Sequence, residues 1–251
     1  LPAAQKQLLV LGQKPDGHPP GTHEYMPGAR IVKALVKGRK DVKVTITKAD
    51  NPWSEGPALI AKADGIVMFL NEGGRFIQDD PKRAKAFAAF AKRGGGLVVY
   101  HWGMGAKQVE HVGPFLELFG GCHGGPDRKY TVVKEAKFQV ASPKHPVMAG
   151  IKSFELPFEE FYYHLKVPKN PKNWTPLVQV PIEGNAETVG WAWERSDGGR
   201  SVGYSGLHFH VNWRHEQYRR LIAQAVLWTL KLPVPNDGLK VKLDPKVLEL
   251  K

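Results

Sequence analysis

The sequence predicts an α/β fold: a doubly wound, mostly parallel sheet with helices on both faces and an antiparallel extension. Three observations predict it. Short apolar runs, "QLLVLG", "GIVMFL" and "LVVY", have the composition of strands buried on both sides. Segments with helical spacing alternate with them, the βαβ pattern that closes right-handed onto a parallel sheet. A chain of 251 residues, 42% of them hydrophobic, is long enough to bury one such core.

The elements follow in order. Lys6 to Gln13 reads as the first buried strand, and the Pro- and Gly-rich "KPDGHPPGTHEYMPG" behind it as a loop. "ARIVKALVKG" is a helix stopped at Gly38, "DVKVTITKA" alternates as a strand, "PALIAKA" is a short helix and "GIVMFLN" a strand. In "DDPKRAKAFAAFAKRGGG" Asp80 caps, Pro81 suits the first turn, Ala84, Phe87, Ala88 and Ala91 share a face, and Gly94 ends the helix. "LVVYH" is the next buried strand. From Lys129 to Val180, strand-like pieces broken by Pro form the antiparallel part. "ETVGWAWER", a turn at "SDGGR" and "SVGYSGLHF" return the chain to the sheet, and "EQYRRLIAQAVLWTL" closes it as a helix with Leu221, Ala225 and Trp228 inward. Residues 1–232 read as a single domain and 233–251 as a tail across the surface.

Composition excludes several classes. The net charge is +12, but the basic residues are spread along the chain without a stripe or a reading motif, so nucleic acid is not the expected partner. No window is long and apolar enough to cross a membrane. Cys122 is the only cysteine, which excludes an internal disulfide and a cysteine-built zinc cage, and nothing near it in sequence marks it as a nucleophile. The chain begins at Leu1 without an initiator Met, which favours a periplasmic or secreted origin.

In open parallel sheets ligands bind beyond the carboxyl ends of the strands. His18 and His23 follow the first strand, Asn71, Glu72 and Arg75 follow "GIVMFL", His101 ends "LVVYH", and His208 and His210 end "SVGYSGLHF". One histidine at a strand end is ordinarily a hydrogen-bonded structural residue; so many on one rim point to a site. Strand alternation puts His208 and His210 on one face with Phe209 opposite, which suits two ligands on one metal or a ligand beside a base. In "FELPFEEFYYH", Glu160 and Tyr162 share a face and reach the rim together, whereas Glu159, Tyr163 and His164 read as a solvated edge. His111, His145 and His215 read as structural, and His123 is left open.

"GGGLVVYHWG", followed much later by "YSGLHFHVNW" and a terminal helix, resembles the trehalose-utilisation (ThuA-like) family, a branch of the class I glutamine amidotransferase-like superfamily with a flavodoxin-like sheet. "THEY", "HPVMAGI" and "EEFYYH", similar to the family's Asp-Glu-Leu-Tyr, match in order, and the resemblance spans Lys6 to Leu232. It implies that His101 stands where amidotransferases carry their cysteine, and that His210 and Asn212 stand at the histidine and glutamate positions. Thiolate attack on glutamine is thereby excluded at this site. The positions carried over are His23, His101, Glu160, Tyr162 and His208, with Leu207 in place of a glycine.

The expected function is action on a sugar or oxidised sugar at a histidine-rich site. His23, His101 and His208 are the expected ligands of a divalent metal, zinc first, and no nucleotide cofactor is expected. His101, Glu160 and His210 are the expected acid–base groups, and Arg75, Trp102, Tyr162, Asn212 and Trp213 the substrate-binding surface. The expected partner is a small-molecule carbohydrate, with self-association left open. The alternative is a sugar-binding or partner-docking domain that kept the pocket and lost turnover; an anion-binding protein exploiting the +12 charge is a third reading.

Overall fold

The computed structural model describes residues 5–169 and 171–250. The elements are β1 (Lys6–Gly12), α1 (Tyr25–Val36), β2 (Val42–Lys48), α2 (Gly56–Lys62), β3 (Gly65–Met68), α3 (Gly73–Gln78), α4 (Pro81–Lys92), β4 (Gly96–Tyr100), β5 (Gly105–Ala106), α5 (Val109–Phe119), β6 (His123–Gly124), β7 (Lys129–Val140), β8 (Phe154–Tyr163), β9 (Trp174–Ile182), β10 (Asn185–Glu194), β11 (Arg200–Tyr204) and α6 (Glu216–Thr229). Among the described residues the main sheet has nine strands in the order β2-β1-β3-β4-β11-β10-β9-β7-β8. The first five run parallel and the remainder antiparallel. The expected antiparallel extension therefore continues the parallel sheet. The first four residues, at which the exported origin was read, lie outside the described residues.

Two apolar cores flank the sheet, because each buried strand sends alternate residues to opposite faces. Leu8, Val10, Val98 and Tyr100 pack with α1 and α6 on one side, and Leu9, Leu11, Leu97 and Val99 with α2, α4 and α5 on the other. Asp80 caps α4 as the sequence suggests, its carboxylate accepting from the Lys82 and Arg83 amides. The inward face of α4 differs from expectation: Arg83, Phe87, Phe90 and Ala91 are buried and Ala88 is exposed. The helix turns its two large rings to the sheet, since they bury far more area than an alanine methyl.

Helix α6 is buried nearly all round from Tyr218 to Thr229, beyond the Leu221, Ala225 and Trp228 face. The chain after Leu232 covers its outer side. Val241 is 2% exposed, Arg219 Nε donates to the Val241 carbonyl (2.9 Å) and Arg220 Nε to that of Leu239 (2.9 Å). Two strands end earlier than their apolar runs: β3 at Met68 and β11 at Tyr204. Arg75, placed by sequence only as following the "GIVMFL" strand, lies in α3. Among the described residues no helix is long and apolar enough to cross a membrane.

Candidate functional site

The site begins in strand register. β11 pairs with β4 so that Tyr204 lies opposite Tyr100, which brings the next residues, Ser205 and His101, side by side beyond the strand ends. His101 opens a 3₁₀ turn (His101–Met104) at φ 45°, a left-handed conformation uncommon outside glycine. Its Nδ1 lies 2.8 Å from the Ser205 carbonyl. His23 (φ 50°) and Leu207 (φ 80°) are likewise left-handed. Such strain collects where the surrounding structure over-determines a functional position. The loop after β1 meets the loop after β11 through an antiparallel bridge of Thr22 with Phe209, flanked by His23 N to His208 O (3.1 Å) and His210 N to Gly21 O (2.8 Å). Three distant histidines are thereby brought together.

His101 Nε2 lies 3.0 Å from His23 Nε2 and 3.0 Å from His208 Nδ1, with Glu160 Oε1 at 3.7 Å and the Tyr162 hydroxyl at 3.0 Å. Proton bookkeeping makes this arrangement informative. The Ser205 carbonyl only accepts, so the His101 proton sits on Nδ1. His23 Nδ1 faces the Asp16 carboxylate at 2.9 Å, so its proton is likewise committed. The two Nε2 atoms therefore face each other without protons of their own, that of His101 accepting from the Tyr162 hydroxyl. Burial first, then the neighbouring His23 and His208, hold the His101 imidazole well below its ordinary range, and burial lowers His23 too. His208 is pushed down to about 3, mainly by burial. Neutral imidazoles converging by their lone pairs make a cation site, and the donor atoms of His23, His101, Glu160 and His208 all lie within 4.8 Å of one another. This group can hold a metal ion. Asp16 and the Ser205 carbonyl fix the tautomers, as outer partners of metal-bound histidines do.

Glu160 and Tyr162 arrive from β8. The β7–β8 ribbon is paired along Lys129 to Phe138, but joins β9 only through Gln139 and Val140, so its far end is free to cross the rim. Tyr162 is stacked between His101 (4.5 Å) and His123 (3.9 Å). Burial, then the Glu159 charge, raises the Glu160 carboxyl to about 7. Glu159 corrects the expectation of a solvated edge. It is fully buried, and its carboxylate accepts from the amides of Leu207, His208 and Phe209, from Asn212 Nδ2 and from the Tyr218 hydroxyl. Burial raises its pKa, opposed by the Tyr218 and Asn212 bonds. Glu159 thus shapes the loop that presents His208.

The structure brings His23, His101, His208, Glu160 and Tyr162 together, and Trp102 borders the same cleft of about 270 Å³. The remaining residues lie elsewhere. His210 does not share the His208 face: β11 ends at Tyr204, Leu207 reverses the backbone, and a 3₁₀ turn starts at His210, so the two-residue period no longer applies. Its Nε2 donates to the Leu248 carbonyl (2.9 Å). Trp213 is a core side chain, 1% exposed, and Asn212 braces Glu159 and the Phe158 carbonyl. Arg75 lines a separate cleft of about 220 Å³ with Asn71 and Glu72 and pairs with Asp79 (2.9 Å). His18 stacks on His23 at 3.7 Å. Asp16 was not singled out by sequence. Hydrogen bonds from His23, Tyr25 and His18 overcome the opposing effect of burial and hold its carboxyl below the usual range. The one available signal was its place two residues before His18. Cys122 is buried, its thiol pushed up to about 12, with Sγ directed at the Met104 carbonyl.

A doubly wound sheet whose fourth strand ends in a left-handed turn at a histidine defines a protein of the glutamine amidotransferase-like fold. The family model for ThuA, described as trehalose utilisation, matches residues 16–229, and the chain belongs to this family. That membership supports a role in carbohydrate metabolism at the level of the family. The fold is shared with a putative ThuA-like protein from Bacteroides uniformis (TM-score 0.68, 18% identity, covering 91% of this chain and 93% of that one). It is also shared with one from Parabacteroides merdae (TM-score 0.66, 12% identity, covering 99% and 100%). No curated protein matches the sequence.

Proposed function

We propose that the protein is an enzyme acting on a small carbohydrate, with His23, His101 and His208 holding a divalent metal of the zinc class and Glu160 beside them as the proton carrier. The observation that carries this reading is the 3.0 Å approach of His23 Nε2 to His101 Nε2 when both ring protons are committed elsewhere. Tetrahedral zinc with Zn–N of about 2.0–2.1 Å needs donor separations slightly longer than this, a small adjustment for two side chains. The ion would supply a Lewis acid for a carbonyl or hydroxyl oxygen of the sugar.

The chain's own groups do the rest. Glu160, at the edge of the cleft with Oε1 beside His208 Nδ1 (3.4 Å), is the carboxyl placed to accept and return a proton. Tyr162, kept a neutral phenol by burial, offers a hydroxyl to a sugar oxygen and, with Trp102, excludes water from that side. Proton transfer next to a polarised oxygen is common to hydrolysis, isomerisation and elimination, and the reading extends to that shared step.

Metal analysis of untagged protein purified without chelator tests it. About one divalent ion per chain is expected, lost in His101→Ala and His23→Ala, with zinc uptake measured by calorimetry following the same order. Metal-free protein that takes up no zinc overturns the reading.

A further inference from the structure

The mouth of the cleft carries charges that the histidine group does not use. Arg128 is half-buried, and Nη1 donates to the Gly125 carbonyl at 2.8 Å. No carboxylate lies within ion-pair distance of its guanidinium among the described residues; the adjacent Asp127 pairs with Lys166 instead. A guanidinium partly removed from water without a counter-ion is unfavourable, and its planar fork matches a carboxylate or phosphate. Lys107 lines the same mouth, with Nζ 5.6 Å from the Trp102 ring centroid and only loosely paired to Glu72 at 3.9 Å.

Two further residues complete the wall. Tyr130, at the end of the β7–β8 ribbon, is 64% exposed and borders the cleft, offering a ring face on which a sugar can lie. His123, below it, is 2% exposed, and its Nδ1 has no hydrogen-bond partner among the described residues. The cleft volume is just below the ~300–1,000 Å³ of sites for drug-sized ligands, so a monosaccharide-sized unit fits.

Resting on the carbohydrate reading above, we propose that the substrate is an anionic sugar: its carboxylate or phosphate docks on Arg128 with Lys107 beside it, its ring lies on Tyr130, and its reacting end meets the histidine group. The +12 net charge adds long-range attraction for such a ligand. Carboxylate and phosphate share this chemistry and are separated by experiment.

Calorimetric titration of the metal-loaded protein with glucose, glucuronate, glucose 6-phosphate and inorganic phosphate tests the proposal. One of the two sugar acids binds about tenfold tighter than glucose, the worth of one charge-assisted pair, and which one does so identifies the anion. Arg128→Gln brings the ratio to glucose close to one, Arg128→Lys restores part of it, and Lys107→Gln lowers it. Lys92→Gln, which removes an equal charge on exposed α4 surface, leaves the ratio unchanged. Should Arg128→Gln fail to fold, Arg128→Lys and Lys107→Gln carry the test. Equal affinity for charged and neutral sugars overturns the anionic preference and leaves the carbohydrate reading standing. Inorganic phosphate binding as tightly as the sugar phosphate overturns it too, as a plain anion site. If no sugar binds, both fall.

Discussion

Glu159 and Glu160 are neighbours with opposite environments, because a strand sends successive side chains to opposite faces. Glu160 joins the histidines; Glu159 turns under the loop and gathers its amides. Glu159→Gln keeps the shape but points an N–H₂ donor at other donors, so a loss of about 1–3 kcal/mol in chemical denaturation is expected. An unchanged midpoint would contradict that role. Leu207 shows two effects in balance. Left-handed strain of about 1–2 kcal/mol is met by burial of a Leu side chain worth about 1.5–3 kcal/mol, so leucine is tolerated at this left-handed position. His145 carries a pH effect. Burial holds its imidazole down to about 4 from 6.5, opposed by Glu194 and assisted by Arg200, while its Nδ1 accepts from the Val147 amide at 3.2 Å. The unfolded chain binds that proton first, so this residue's stabilisation is complete above 6.5 and is lost as pH falls towards 4. His145→Asn keeps the capping acceptor and cannot titrate. Its melting temperature should fall less than that of the wild type across this window; parallel curves would contradict the assignment.

At the scale of elements, the site depends on turns that start where strands stop. Gly73, at the start of α3, sits against the 3₁₀ turn that carries His101: a Cβ there would lie 1.9 Å from the Gly103 carbonyl oxygen. Backbone cannot retreat as a side-chain tip can. Gly73→Ala should therefore cost roughly 1–3 kcal/mol and weaken zinc uptake together with stability. Thermal melts alongside zinc titration check this, and wild-type behaviour in both would refute the close approach. The apolar runs foretold β1, β3, β4 and β11, hence the rim on which His23, His101 and His208 gather. They did not foretell where strands yield to turns. The period-two rule, extended past Tyr204, therefore placed His210 beside His208.

For the whole molecule, the segment after Leu232 braces the site from behind. Arg219 ties the Trp213 and Arg214 carbonyls (2.7 and 2.8 Å) to that of Val241, and the Leu248 carbonyl holds His210. Ending the chain at Leu232 uncovers α6 and strips these partners. A fall in melting temperature of roughly 5–15 °C is expected by calorimetry. An unaltered transition would show that residues 1–232 stand alone and the segment only lies on the surface.

The sequence by itself determined the layered α/β architecture and the rim on which His23, His101 and His208 meet. These follow from hydrophobic period, strand order and residue type, all local along the chain. Only the tertiary structure decided that Asp16 orients His23, that Glu159 underpins the His208 loop, that Trp213 and Asn212 belong to the interior, and that Arg128 borders the cleft with no carboxylate partner among the described residues. Each of these depends on which partner lies across a gap between segments distant in sequence, and pairing across space leaves no periodic trace.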